Sequence, residues 1–284
     1  MYVYGKHTSD IGSLLSGILI VYSFSPFNIW LLAILSLVAF LVICQRTNTV
    51  KLAMRRGFLY GLGFYGAGSY WQFAFIGTFP VIYQPIMYFL LGGIIFILIC
   101  FPVIYAATLV WVKQYTSPRW IIVLFPFVWL IGEWVRTWLW TGFPYYQLGF
   151  AFVDTPLAGF APLGGELAVT LSVLVSVSLL AGSFIFKANK TRIAMLSTLL
   201  IIWAGGAQLR TMDWGTVGER PLKIRLVHGS PDQLKKTKRY YTIDTIKQYL
   251  AYSEVLPQPD LVIWPESSIA MELRRVYHYL KEGA

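Results

Sequence analysis

Charge is scarce in this chain. Of its 284 residues only 13% are Asp, Glu, Lys or Arg, against 57% apolar, and the mean hydropathy is +0.61. That balance excludes an ordinary water-soluble domain, where about a quarter of residues are charged, and points to a protein embedded in lipid. Cysteine is scarcer still. Cys44 and Cys100 each sit inside an apolar run, with no CxxC spacing, which excludes a disulfide framework or a cysteine-rich metal knuckle. Both read as packed or lipid-facing thiols, because apolar surroundings suppress the thiolate. There are three histidines and no His/Cys cluster, so no metal centre is expected. No internal repeat is visible, the pattern that inverted-repeat transporters carry. The first apolar segment lacks a small-residue cleavage site and runs into a second, so no cleavable leader is expected.

What the chain does have is long apolar runs. A span of the hydrocarbon core takes about 20 mainly apolar residues. Seven stretches qualify, roughly 11 to 24, 29 to 44, 57 to 79, 86 to 112, 120 to 140, 165 to 186 and 193 to 209. Pro26 and Asn28 mark a turn that makes the first two a helical hairpin. The formal net charge of +10 acquires meaning from its position. Lys6 precedes the first span, and Arg46, Lys51, Arg55 and Arg56 follow the second. Lys113 and Arg119 follow the fourth, and Lys187, Lys190 and Arg192 the sixth. The alternate loops, 25 to 28, 80 to 85 and 141 to 164, have neither Lys nor Arg. The positive-inside rule then puts the N-terminus in the cytoplasm and everything after about 210 on the far side. Basic charge in membrane-flanking loops carries no implication of nucleic acid.

Inside the spans, three features stand out. Gly57, Gly61, Gly63, Gly66 and Gly68 include small residues four apart, which let helix backbones approach closely. Glu133 and Arg136 lie three apart, where helix neighbours pair, and the cost of ionised groups in a membrane predicts that they face the protein interior or the interface. The fifth span ends in an aromatic run with Trp140, Phe143, Tyr145 and Tyr146. Two readings stay open for it: aromatic anchors at the membrane boundary, or a surface through which lipid reaches an extracytoplasmic domain.

After residue 210 the composition changes, with eleven Lys or Arg and nine Asp or Glu between 211 and 284. Lys223 to Val227 alternate in period two and predict a strand, closed by a turn at His228, Gly229 and Ser230. Tyr241, Ile243, Ile246, Tyr249, Leu250 and Tyr252 predict a helix over about 235 to 255. Leu261 to Trp264 predict a second strand. Strand, helix, strand opens an α/β sheet with a parallel crossover, where reactive groups gather beyond the carboxyl ends of the strands. Glu266 falls at that place. By itself an acid there is equally a surface or capping group, and a 74-residue α/β half is too small to close a core alone.

Four segments resemble one family. Phe24 to Trp30 is similar to its first hairpin, and Gly57 to Trp71 to its third span. The order and spacing from Glu133 through Thr141, Gly142, Phe143 and Pro144 to Gly149, Pro156, Leu157, Gly159, Ala161, Pro162 and Gly164 match a third segment. Ile263, Trp264, Pro265, Glu266 and Ser267 match the start of its nitrilase-like domain. The chain thus resembles apolipoprotein N-acyltransferase, a membrane-bound member of the nitrilase, or carbon-nitrogen hydrolase, superfamily. The resemblance implies about seven transmembrane helices (1 to 210), followed by an incomplete extracytoplasmic α/β nitrilase-like domain (211 to 284). It implies a multi-pass protein of the bacterial inner membrane with a periplasmic tail.

The implied reaction needs no cofactor. A cysteine takes an acyl chain from a phospholipid as a thioester, and the N-terminal amine of a diacylglyceryl-cysteine lipoprotein then attacks it. The family's triad is Glu as general base, Lys for the oxyanion and Cys as nucleophile, and here only the Glu position is matched, by Glu266. Cys44 and Cys100 lie in spans, and Lys281 follows Glu266 too closely to match the family lysine. The chain alone is therefore expected to be inactive. The segment His228 to Lys236 departs from the family pattern, lacking a tryptophan, and Ala270 replaces a common proline. Three readings remain: an N-terminal portion of the enzyme, half of a split enzyme completed by a C-terminal fragment, or a non-catalytic lipid-binding or transport protein.

Overall fold

A computed structural model describes residues 2 to 117, 119 to 186, 188 to 215, 218, 221 to 229, 239 to 266, 268 and 269. The chain divides into two compact units, Met1–Trp214 and Gly215–Ala284.

Among the described residues the first unit is a bundle of eight α-helices. They are α1 (Tyr2–Val21), α2 (Leu31–Gln45), α3 (Val50–Gly61), the short α4 (Tyr70–Ile76), α5 (Gln84–Tyr115), α6 (Trp120–Arg136), α7 (Ala161–Ile185) and α8 (Asn189–Arg210). Among the described residues three helical stretches are long and apolar enough to cross a membrane: Gln84–Tyr115, Pro156–Ile185 and Asn189–Arg210. His7–Val21 and Leu31–Gln45 are shorter apolar helices. At about 1.5 Å per residue, the 32 residues of α5 exceed a hydrocarbon core of about 30 Å.

The expected third span, 57 to 79, is not one continuous helix. Helix α3 starts at Thr49, whose hydroxyl accepts the Leu52 N–H. It passes into a π-turn over Leu62–Gly66 and breaks before α4. Ser69 donates to the carbonyl of Tyr65 at 2.6 Å, a back-bond of the kind that bends helices. Gly68 faces the Tyr146 ring, where a Cβ would come within 3.1 Å of a ring carbon. Gly57, Gly61 and Gly63 serve close packing, as their spacing predicts. A Cβ on Gly57 would lie 2.5 Å from the Pro102 carbonyl oxygen of α5, and one on Gly63 would overlap the Leu14 carbonyl of α1.

The bundle core is aromatic. Trp129, Tyr60, Phe40, Phe64 and Phe125 are fully buried. Phe40 meets Tyr60 with ring centroids 4.4 Å apart, and Tyr105 meets Trp129 at 4.9 Å. The Tyr60 hydroxyl lies 2.9 Å from Ser36 Oγ, which donates to the Ser16 carbonyl, so the buried hydroxyls are satisfied as apolar surroundings demand. At the end read as cytoplasmic, Asp10 pairs with Arg55 at 2.8 Å and Arg56 at 3.5 Å. There Lys113 donates to the carbonyls of Gln45 and Thr47. Cys44 is buried and Cys100 half-buried, its thiol donating to Phe96 O.

In the second unit, β1 (Ile224–Leu226) and β2 (Leu261–Ile263) pair in parallel, with Arg225 opposite Val262. Helix α9 (Arg239–Ser253) connects them. The part of the predicted helix at 235 to 238, and the turn residue Ser230, lie outside the described residues. Arg225 fixes the α9 end to the sheet, donating to Ser253 O and Pro257 O, each at 2.8 Å. One stripe of both strands, Ile224, Leu226, Leu261 and Ile263, is exposed, Leu226 to 75%.

Candidate functional site

Glu266 lies three residues beyond the last residue of β2, at the strand's carboxyl end. Hydrogen bonds hold the backbone that leads to it. Val227 N–H donates to Ile263 O, extending the ladder past β1, and the Trp264 indole stacks on Tyr249 at 5.4 Å while donating to Ser253 Oγ at 2.9 Å. Gly229 N–H in turn donates to the Tyr249 hydroxyl. Trp264 and Tyr249 thus pin the end of β2 to α9, and Pro265, which has no N–H, leaves the ladder there. Glu266 itself is exposed. Ser267, Ala270 and Lys281 lie outside the described residues.

A second constellation lies inside the bundle. Glu133 and Arg136 are 1% and 3% exposed and pair at 3.6 Å. The carboxylate accepts Trp129 Nε1–H at 3.0 Å and the Leu148 N–H at 3.2 Å. The guanidinium donates to the Tyr65 hydroxyl at 3.0 Å and to the carbonyls of Tyr145 and Tyr146 at 3.3 and 3.4 Å. From α7, the Thr170 hydroxyl lies between two carboxylates, 3.1 Å from Glu133 Oε2 and 2.5 Å from Glu166 Oε1. Gly149 N–H points at Thr170 and Glu166, 2.8 Å from Thr170 Oγ1 and 2.9 Å from Glu166 Oε1. Side chains of α6 and α7 therefore hold an irregular loop by its backbone, the condition for non-helical chain at membrane depth.

The four aromatic residues divide between two directions. Trp140 and Tyr145 point outward, 72% and 54% exposed, whereas Phe143 and Tyr146 pack against the core. The Tyr146 hydroxyl donates to Gly68 O at 2.6 Å and accepts Trp71 Nε1–H at 3.1 Å, which ties the loop to the broken third span. Burial pushes this hydroxyl above its usual range, so it stays a neutral donor. Backbone strain concentrates here. Trp140, Thr141 and Tyr146 have φ of 51°, 74° and 61°, conformations that non-glycine residues seldom adopt, while Gly142 (φ 85°) takes its positive φ without that penalty.

The buried pair was legible from its three-residue spacing, but its partners were not. Tyr65, Trp129 and Trp71 look like ordinary span aromatics. One usable signal was Glu166 followed by Thr170 one helical turn later at the head of an apolar helix.

Fold and sites together define a helical membrane protein with an internally clasped loop, joined to a separate α/β unit. Residues 16–180 match the model of the apolipoprotein N-acyltransferase N-terminal domain. The chain is 32% identical to the apolipoprotein N-acyltransferase of Vibrio parahaemolyticus over 252 residues, 87% of this chain and 48% of that relative. The enzyme of the same name from Pseudomonas syringae pv. tomato is 29% identical over 274 residues, 94% and 53% respectively, and that of Haemophilus influenzae 28% over 270 residues, 93% and 51%. The chain belongs to the apolipoprotein N-acyltransferase family. It spans about half the length of the curated relatives it matches.

Proposed function

We propose that this chain supplies the membrane bundle and the general-base side of an apolipoprotein N-acyltransferase. The single observation that carries the reading is Glu266 at the carboxyl end of a parallel strand, in a member of that family. In the proposed reaction Glu266 takes the proton of a cysteine thiol as it attacks a phospholipid ester, then returns it to the leaving alcohol. The amine of a diacylglyceryl-cysteine lipoprotein resolves the thioester. Both cysteines, Cys44 and Cys100, lie in the helical bundle, and neither is assigned as the nucleophile. Trp140 and Tyr145 form the surface through which lipid approaches, with Phe143 and Tyr146 packed behind them.

The reading includes seven spans, a cytoplasmic N-terminus and a periplasmic nitrilase-like segment beginning near residue 211, in a bacterial inner membrane. Support comes from the alternation of Lys and Arg among the loops. A second reading, half of a split acyltransferase, is favoured by the apolar stripe of Ile224, Leu226, Leu261 and Ile263, a surface that parallel sheets normally cover.

The test uses vesicles with a radiolabelled phospholipid acyl chain and a diacylglyceryl-cysteine peptide. Residues 1 to 284 alone should transfer nothing, and adding a fragment that carries the lysine, the cysteine and a final span should restore transfer. Glu266→Gln should abolish the restored activity. Undiminished transfer by that variant would remove Glu266 from its role, and transfer by the chain alone would show that the triad was misassigned.

A further inference from the structure

We propose that Arg136, neutralised by Glu133, is the positioning residue of the aromatic surface: it sets the register of the loop so that Trp140 and Tyr145 face outward and Phe143 and Tyr146 face inward. This rests on the reading of that surface as a lipid approach.

The argument starts from what the pair does for the fold. A buried ion pair is a poor stabiliser, and well-packed apolar residues of similar size commonly do as well or better. An apolar bundle core has no need of it. What apolar residues lack is hydrogen bonding to an irregular backbone. Arg136 uses both faces of its position: its own carbonyl accepts the Phe143 N–H at 2.7 Å, and its guanidinium holds the carbonyls of Tyr145 and Tyr146. Glu133 holds the Leu148 N–H two residues on. Four backbone groups between 143 and 148 thus depend on one turn of α6.

Strain is the independent observation. Positive φ at Trp140, Thr141 and Tyr146 strains a non-glycine backbone and persists only where surroundings over-determine it. The Arg136 contacts bracket Tyr146, the strained residue whose side chain turns inward to Gly68 and Trp71. A relaxed loop would take a different register. Tyr145 would then lose its outward setting beside Trp71, whose ring centroid is 6.2 Å away.

The experiment uses the full chain in vesicles of phosphatidylethanolamine and phosphatidylglycerol containing a phospholipid with a diazirine in its acyl chain. Photolabelling of the peptide 137 to 150 is quantified for wild type, Arg136→Lys and the double variant Glu133→Leu/Arg136→Leu. In parallel a nitroxide at Tyr145→Cys, in a Cys44→Ala/Cys100→Ala background, reports mobility, with Leu200→Cys on α8 as control. The double variant should stay folded, mobilise residue 145 but not residue 200, and lose labelling about tenfold, the scale of lost charged hydrogen bonds. Arg136→Lys should fall between. An unchanged nitroxide and unchanged labelling in a folded double variant would overturn the inference while leaving the lipid surface standing. Absence of labelling in wild type would overturn the lipid surface itself, whatever the nitroxide reports.

Discussion

The two units handle surfaces that do not suit their surroundings in opposite ways. The bundle encloses its polar groups: Glu133, Arg136 and Thr170 are buried and each is met by a partner on another segment. The α/β unit leaves apolar groups outside, with Ile224, Leu226, Leu261 and Ile263 on an open stripe and its acid, Glu266, exposed. The difference follows from what each solvent penalises. Lipid penalises an unpaired polar group by several kcal/mol, so a bundle must be complete to exist. Water penalises exposed apolar area by only about 25 cal/mol per Å², so a small α/β segment can hold its topology with one face uncovered.

Four substitutions sharpen that contrast, from the largest expected effect downward. Gly63→Ala drives a Cβ into the Leu14 carbonyl and should abolish recovery of monodisperse protein in detergent, read by size-exclusion chromatography. Arg136→Ala leaves the Glu133 carboxylate buried without its cation. Thermal unfolding should show a loss of about 3–5 kcal/mol, larger than that of the double leucine variant, which leaves no unpaired charge. Arg225→Ala in the α/β unit frees the Ser253 and Pro257 carbonyls for about 1–2 kcal/mol. Hydrogen exchange should accelerate in β1, β2 and α9 and not in α5 or α7. Leu226→Ser should cost less than about 0.5 kcal/mol in this chain yet block restoration of activity by an added C-terminal fragment. A large stability loss from Leu226→Ser would show that its face is already covered.

Much of this was visible in the residues. The alternation at 223 to 227, the helical spacing from 241 to 252 and the apolar run at 261 appear as β1, α9 and β2 at nearly the expected positions. Gly57 and Gly63 sit at close crossings as their spacing suggested. The break in the third span was not read from the residues, because 62 to 76 stays largely apolar despite Ser69 and Gln72, and a π-turn changes hydrogen-bond register without changing composition. The loop clasp was half visible. Glu133 and Arg136 announced a pair, but a side chain's hold on a distant backbone carbonyl leaves no trace in which residue carries that carbonyl. The outward and inward division of Trp140, Phe143, Tyr145 and Tyr146 depends on that hold, so it too waited for the structure.

The spacing of Glu133 and Arg136 has a consequence for how the chain is made. A lone charge costs an inserting helix up to about 2.5–3.5 kcal/mol, the value at its centre, and Glu133 and Arg136 lie in the last turn of α6. Because both charges lie within one turn of α6, the helix carries its own counter-ion when it leaves the ribosome and need not wait for α7 to be synthesised before entering the bilayer. Thr170 and Glu166 arrive some 30 residues later, in time to fasten the loop but too late to rescue an unneutralised helix. Moving the acid from α6 to α7 would preserve the charges of the finished protein and still trouble its biogenesis.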